Sequence, residues 1–363
     1  MTTTPLGRHL RELIASQGPL TMARFMAEAL GHPEYGYYMT QNPFGAEGDF
    51  VTAPEVSQMF GELIGAWCAD VWMQMGAPAK VYLVELGPGR GTLMSDALRA
   101  TKSVPGFHAA IHLHLVETSP RLRDIQATTL GSFAPTWHDS ATELPSGPMI
   151  VLANELFDAL PVHQFQFNGN QWHERLIDFA PSGDDLALVL DPSPALRPSL
   201  QRFHQPHDDA IAEICPAGIT LTEHLAARFA QAPGAALVID YGHAASGFGD
   251  TVQGVRAHEF QPILVAPGTI DLCAHVDFAA LEEAAAGVGA ATWGPVPQRD
   301  FLKALGIDAR AAALSTASPP DAPEIAAAVH RLTHSDEMGT LFKVLAFCSA
   351  KLHPAGFDLR DSI

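Results

Sequence analysis

The sequence is poor in cysteine, in positive charge and in long apolar runs, and each shortage narrows what the chain can be. Its 363 residues hold four cysteines, namely Cys68, Cys215, Cys273 and Cys348, dispersed and with no CxxC pair. That pattern fits free thiols in a reducing compartment. No apolar run reaches membrane-spanning length, and Met1–Leu10 lacks a secretory apolar core, so the expected setting is soluble and cytoplasmic, without membrane insertion. Lys and Arg number 21 against 40 Asp and Glu, for a formal net charge of −19. An acidic surface repels phosphate backbones and anionic membranes, which argues against broad nucleic-acid binding. It suits a basic partner such as an arginine-bearing polypeptide, and it is equally a common solubility device. A G-x-S-x-G elbow and a G-x-x-x-x-G-K-[ST] phosphate loop are also absent, so serine-hydrolase and P-loop readings lack support.

What is present is the composition of a globular protein, with 47% hydrophobic and 17% charged residues, which rules out a disordered or fibrous chain. The organising stretch is Val81–Thr92: an apolar run ending in Glu85, then Gly87, Gly89 and Gly91, then a helical pattern. It predicts a buried parallel strand, a tight turn and a helix, the opening unit of a nucleotide-binding α/β fold. Further strands are expected at 110–116, 149–153, 235–240 and 341–347, alternating with helices, hence a mostly parallel, doubly wound sheet. Before them, residues 1–76 predict an N-terminal helical cap with a covering loop. In that cap, Thr52-Ala53-Pro54-Glu55 reads as a capping box opening one helix that runs to about Met75. Residues 161–233 predict an inserted α+β segment built on a hairpin centred at Asn168-Gly169-Asn170. Its Asp191–Pro198 stretch reads as loop. Residues 77–160 and 234–363 form the expected core.

The glycine turn alone admits several nucleotides. A dinucleotide fingerprint requires G-x-G-x-x-G, whereas here the spacing is G-x-G-x-G with Thr92 next. Glu85 beside the turn would repel a pyrophosphate and suits a cation, the ammonium and sulfonium of S-adenosylmethionine. Glu117, at the end of the second strand, can take both ribose hydroxyls. Asp139, where the third strand should end, is a candidate for the adenine amino group or a plain surface acid.

Chemistry in an open parallel sheet lies beyond the carboxyl ends of the strands. There the fourth strand delivers Asn154 and Glu155, and a helical turn next would carry Glu155 and Asp158 on one face. Methyl transfer is an in-line displacement that depends on alignment. For an arginine acceptor, a bidentate carboxylate holds the guanidinium flat and draws its charge away from the attacking nitrogen. The candidates are therefore Glu155, Asn154 and Asp158, the two acids also readable as helix-start acids favoured by the dipole. A rival metal set, Asp271, Cys273, His275 and Asp277 on one extended strand, conflicts with Asp277 as a helix N-cap, and no metal is expected.

Gly48–Glu55, Val84–Thr92, Asn154–Val162, Asp271–Phe278 and Met338–Leu345 together resemble the MidA-like family, the group containing the mitochondrial complex I assembly arginine methyltransferase. The resemblance spans nearly the whole chain. It implies a class I, Rossmann-like methyltransferase with a seven-stranded sheet and S-adenosyl-L-methionine as cofactor. By position, it implies that Glu85, Gly87, Gly89 and Gly91 line the cofactor and that Glu117 takes its ribose. The Gly48–Glu55 loop, with Thr52 and Pro54, would cover cofactor and acceptor. Asn154-Glu155 resembles the first acid of the double-glutamate loop of better-known arginine methyltransferases; about nine residues on, where those carry a second glutamate, stands Gln164. The implied acceptor is an exposed protein arginine, in the mitochondrial member that of a complex I subunit. The chain lacks a mitochondrial presequence and reads as a bacterial-type member; a homodimer stays open. A small-molecule methyltransferase, a non-catalytic assembly protein retaining the cofactor fold, and a nicotinamide oxidoreductase are the rival readings.

Overall fold

The computed structural model describes residues 4–41, 51–181, 183 and 185–357. The chain divides into two compact units, Val51–Phe157 with Thr220–Ala244 and Phe278–Ile363, and Met1–Phe50 with Asp158–Ile219 and Ala245–Asp277. This division differs from the expected one. Residues 51–76 belong with the sheet because Ile64, Trp67 and Val71 are buried in the same core as Leu83, Leu113 and Ile150. Conversely, 245–277 groups with the hairpin segment.

The first unit is built on β1 (Val81–Leu86), β2 (Ile111–Val116), β3 (Thr136–His138), β4 (Met149–Asn154), β5 (Gly234–His243), β6 (Ala291–Pro297) and β7 (Phe342–Cys348). Their order is β6-β7-β5-β4-β1-β2-β3. Neighbours from β3 through β5 are parallel, and β7 runs antiparallel to both β5 and β6. Every residue of β1 is buried, as two-sided cover of a parallel strand by helices requires. The chain steps outward from β1 to β3 and then returns to place β4 on β1's other side. That reversal between β1 and β4 opens a crevice at their carboxyl ends, the place where such sheets take ligands.

Strand β6 escapes sequence reading because Gly294 at φ 93 and a register shift between Trp293 and Val296 break its alternation. The capping-box expectation is corrected. Helices span Ala53–Val56 and Gln58–Gln74, separated by Ser57 at φ −162 and ψ 140. Thr52 makes no side-chain cap bond, whereas Ser57 accepts from Met59 N at 3.2 Å. The longer helix packs closely on helix Thr92–Ala100: a Cβ at Gly61 would meet Asp96 Cβ at 2.6 Å, and one at Gly65 would meet Ala97 O at 2.6 Å.

In the second unit, helices Pro5–Gln17 and Met22–Gly31 bury Leu6, Leu10, Ile14, Met22, Phe25, Met26 and Leu30, the spacing the sequence carries. Strands His163–Asn168 and Gln171–Phe179 pair antiparallel with Asn168 opposite Gln171. Gly169 at φ 57 and Asn170 at φ 66 make the two-residue turn that favours such residues. The following strand, Leu186–Pro194, extends into what reads as loop, with Pro194 paired to His173 beyond a register shift. Among the described residues no helix is long and apolar enough to cross a membrane.

Candidate active site

At the end of β1 the Glu85 side chain is 3% exposed, and its Oε2 has no hydrogen-bond partner among the described residues. Burial pushes its carboxyl up to about 8, because a low-dielectric site disfavours the charged form. The chain then turns through Gly87 at φ 61, Gly89 at φ 52 and Gly91 at φ 80, values that side chains rarely adopt. Packing adds a second reason for glycine: a Cβ on Gly87 would lie 2.9 Å from Leu156 Cδ1, and one on Gly91 3.1 Å from Leu130 Cδ1. A buried carboxylate with an orphaned oxygen beside a glycine turn fits a ligand bearing a cationic group and opposes a pyrophosphate.

At the end of β2, Glu117 is also buried. Its Oε1 accepts from Ser119 N at 2.8 Å and its Oε2 from Gln126 Nε2 at 3.1 Å. Burial raises this carboxyl, and the Ser119 and Gln126 bonds partly offset the rise. Gln126, which no sequence pattern marks, donates to Gly89 O at 2.8 Å and accepts from Trp137 Nε1 at 2.9 Å. One amide thus joins the glycine turn, Glu117 and β3. Asp139 follows β3 as expected but is largely exposed and paired with Arg123 at 2.6 Å.

Residues 52–55 lie against this turn. Glu55 accepts from Thr92 Oγ1 at 2.5 Å and faces Arg90 at 3.6 Å; Pro54 is buried. This brings Thr52 and Pro54 to the carboxyl ends of the strands. The rest of the covering loop, Gly48-Asp49-Phe50, lies outside the described residues.

The end of β4 departs from expectation. Glu155 is not helical; it sits at φ 50, a left-handed conformation costing about 1–3 kcal/mol in a residue with a side chain. The helical turn begins only at Phe157, so Glu155 and Asp158 do not share a helix face. Glu155 Oε1 accepts from Ala53 N at 2.8 Å and from Asn154 Nδ2 at 3.1 Å. Asn154 Oδ1 is buried without a partner among the described residues. Asp240, fully buried on β5, accepts from Leu156 N at 3.1 Å, Phe157 N at 2.9 Å and Tyr241 N at 2.9 Å. Asp158 belongs to the other compact unit, where its carbonyl accepts from Ala274 N at 2.9 Å.

In that unit Gln164 Nε2 donates to Glu213 Oε1 at 2.7 Å and Asp250 Oδ1 at 2.8 Å. The 271–277 set is split between strands Asp271–Cys273 and Val276–Asp277. Asp271 accepts from Tyr38 Oη at 3.1 Å, and Asp277 from Ser246 Oγ at 2.7 Å. Ligand atoms of His9, Glu28 and His32 lie within 4.8 Å of one another. However, Arg24 pairs with Glu28 at 2.6 Å, and His32 Nδ1 accepts from Glu34 N and Tyr35 N. That tautomer places its ring proton on Nε2 and removes it as a ligand.

A family model for S-adenosyl-L-methionine-dependent methyltransferases matches residues 63–296. The protein arginine methyltransferase NDUFAF7 of Danio rerio mitochondria is 38% identical over 361 residues, 93% of this chain and 85% of that protein. Its Homo sapiens counterpart is 38% identical over 370 residues, covering 94% and 83%. A crystal structure of a Burkholderia thailandensis protein bound to S-adenosyl-homocysteine superposes with a TM-score of 0.84 at 28% identity, covering 98% of this chain and 94% of that one. With an α/β sheet, a glycine turn and a cation-compatible Glu85 at its switch point, the chain belongs to the MidA-like family and is an S-adenosyl-L-methionine-dependent methyltransferase.

Proposed function

We propose that the chain methylates an arginine side chain of a protein, on a class I, seven-stranded Rossmann-like scaffold. The observation that carries this reading is Glu155, held at the switch point in a strained left-handed conformation, with Asn154 Oδ1 beside it buried and unpartnered among the described residues. Strain of this kind persists where a site needs it. The arginine methyltransferases among the relatives point the same way. A complex I subunit-like protein is the acceptor class the family resemblance suggests.

When bound, the cofactor would supply an electrophilic methyl group for the attacking nitrogen. Glu85 would hold its cationic amino-acid end, Gly87, Gly89 and Gly91 would let it approach the backbone, and Glu117 would take the ribose hydroxyls. Asp139, Thr52 and Pro54 would border the adenine and the covering side. Glu155 would bind the guanidinium and draw positive charge from the attacking nitrogen, with Asn154 accepting an N–H. Orientation is the main contribution, since such alignment supplies several kcal/mol of a displacement barrier.

The test is methyl-labelled cofactor with a proteome lysate, followed by identification of the modified residue. Label on protein arginine is expected; label confined to metabolites or to another side chain overturns the acceptor.

A further inference from the structure

We infer that Asp240, at the end of β5, is a positioning residue that holds Glu155 in the conformation used on the acceptor. The inference rests on Glu155 being the acceptor-binding group. Strand β5 lies beside β4 with Ile239 opposite Asn154, so Asp240 is one step beyond β4's last residue. Glu155 N donates to Ile239 O at 2.9 Å, and the next two amides, Leu156 and Phe157, both donate to Asp240 Oδ2. Three consecutive amides of the turn are therefore held by two consecutive residues of β5. This overdetermines the turn, which a side-chain-bearing residue at φ 50 requires.

The charge of Asp240 is needed as well as its shape. Its other oxygen accepts from Tyr241 N at 2.9 Å, so both carboxylate oxygens face donors, and only an acceptor-only group fits. An asparagine keeps the volume but turns an NH2 toward one N–H. A buried carboxylate with no exposure persists because those amides compensate it. Strand β4 stands between β5 and β1, so the loss of Asp240 should reach the acceptor side and spare the cofactor.

The experiment combines kinetics and amide exchange on the full chain: wild type, Asp240→Asn, Glu155→Gln and the double variant. Expected for Asp240→Asn is a fall in kcat of about 10–100-fold, with cofactor affinity within about threefold. In the Glu155→Gln background, the same change should add less than about twofold, because both act through one group. The Leu156 and Phe157 amides should be as protected as sheet amides in wild type and exposed in Asp240→Asn. Multiplying effects, or amides that stay protected, overturn the proposal. Should Asp240→Asn fail to fold, unprotected Leu156 and Phe157 amides in wild type overturn it alone. If Glu155→Gln retains full activity, the Glu155 reading fails separately, while amide exchange still judges whether Asp240 holds the turn.

Discussion

Glu155→Gln keeps the side chain's size and its Oε1 acceptor for Ala53 N but removes the charge a guanidinium would meet. Methyl transfer should fall by at least about 100-fold, as expected for loss of a charge-assisted, bidentate contact worth ~3 kcal/mol, while calorimetric cofactor affinity stays level. Full activity would remove Glu155 from the mechanism. Glu85 makes a pH prediction with a definite sign. Its folded carboxyl stands at about 8 against an ordinary 4.5, so between those values it is protonated when folded and ionised when unfolded. Its contribution to the stability of the cofactor-free protein is complete below about 4.5 and lost as pH rises through about 8. A bound cation favours the carboxylate, so binding should expel close to one proton near neutrality. Affinity should climb toward ~10-fold per pH unit below 8. Titration in buffers of different ionisation enthalpy measures the proton; a Glu85→Gln variant should show neither effect. The places of Glu85, Glu117 and Glu155 at strand ends were legible because each closes an apolar run that reads as a buried strand. Asp240 and Gln126 were not: Asp240 acts through the amides of Leu156 and Phe157 on another strand's end, and Gln126 through Gly89 O and the side chains of Glu117 and Trp137, partners that only the tertiary fold brings near.

Among the elements, the contact between helices Gln58–Gln74 and Thr92–Ala100 depends on glycine. Gly→Ala in a helix interior ordinarily stabilises by about 1 kcal/mol. At Gly65 the new Cβ would meet backbone, Ala97 O at 2.6 Å, which cannot rotate away. Overpacking of ~1–3 kcal/mol should exceed the propensity gain, so Gly65→Ala should lower the denaturant midpoint; a raised midpoint would show that the helices separate freely. The same helix carries Glu62, buried and bonded to Arg310 Nε at 2.7 Å and Arg99 Nη1 at 2.9 Å. Its carboxyl is lowered overall, with burial opposing and the two arginines prevailing. Its stabilising contribution is therefore present above the ordinary glutamate value and lost as pH falls through the lowered one. Acid unfolding of Glu62→Gln should be shallower than that of wild type over that window. Hydrophobic spacing disclosed these helices, but the break at Ser57 was hidden because Thr52-Ala53-Pro54-Glu55 has capping-box composition. Its Glu55 instead bonds Thr92 in the glycine turn, a partner outside any local pattern.

At the scale of the molecule, the net charge of −19 should draw basic polypeptides by long-range attraction. The kcat/KM for an arginine-bearing basic peptide should fall several-fold between about 0.02 and 0.5 M salt, as the Debye length contracts from ~20 Å to ~4 Å. A neutral arginine peptide should show little change. Salt independence for both would assign the acidity to solubility alone. The same scale is where the expected domain boundaries gave way: segments far apart in the chain share one core, and composition along a line cannot report that.

The sequence by itself determined the α/β class, the strand–glycine–helix unit, the hairpin turn at Gly169-Asn170 and the acids at the ends of β1, β2 and β4. Each rests on local rules: two-sided burial, positive φ, side-chain period. Only the tertiary structure decided that Glu155 is left-handed, that Asp240 and Ala53 grip the turn on either side of it, and that Gln126 joins three strand ends. Those features arise from hydrogen bonds between residues 9 to 102 positions apart, a separation over which one chain's local preferences carry no information about which groups meet.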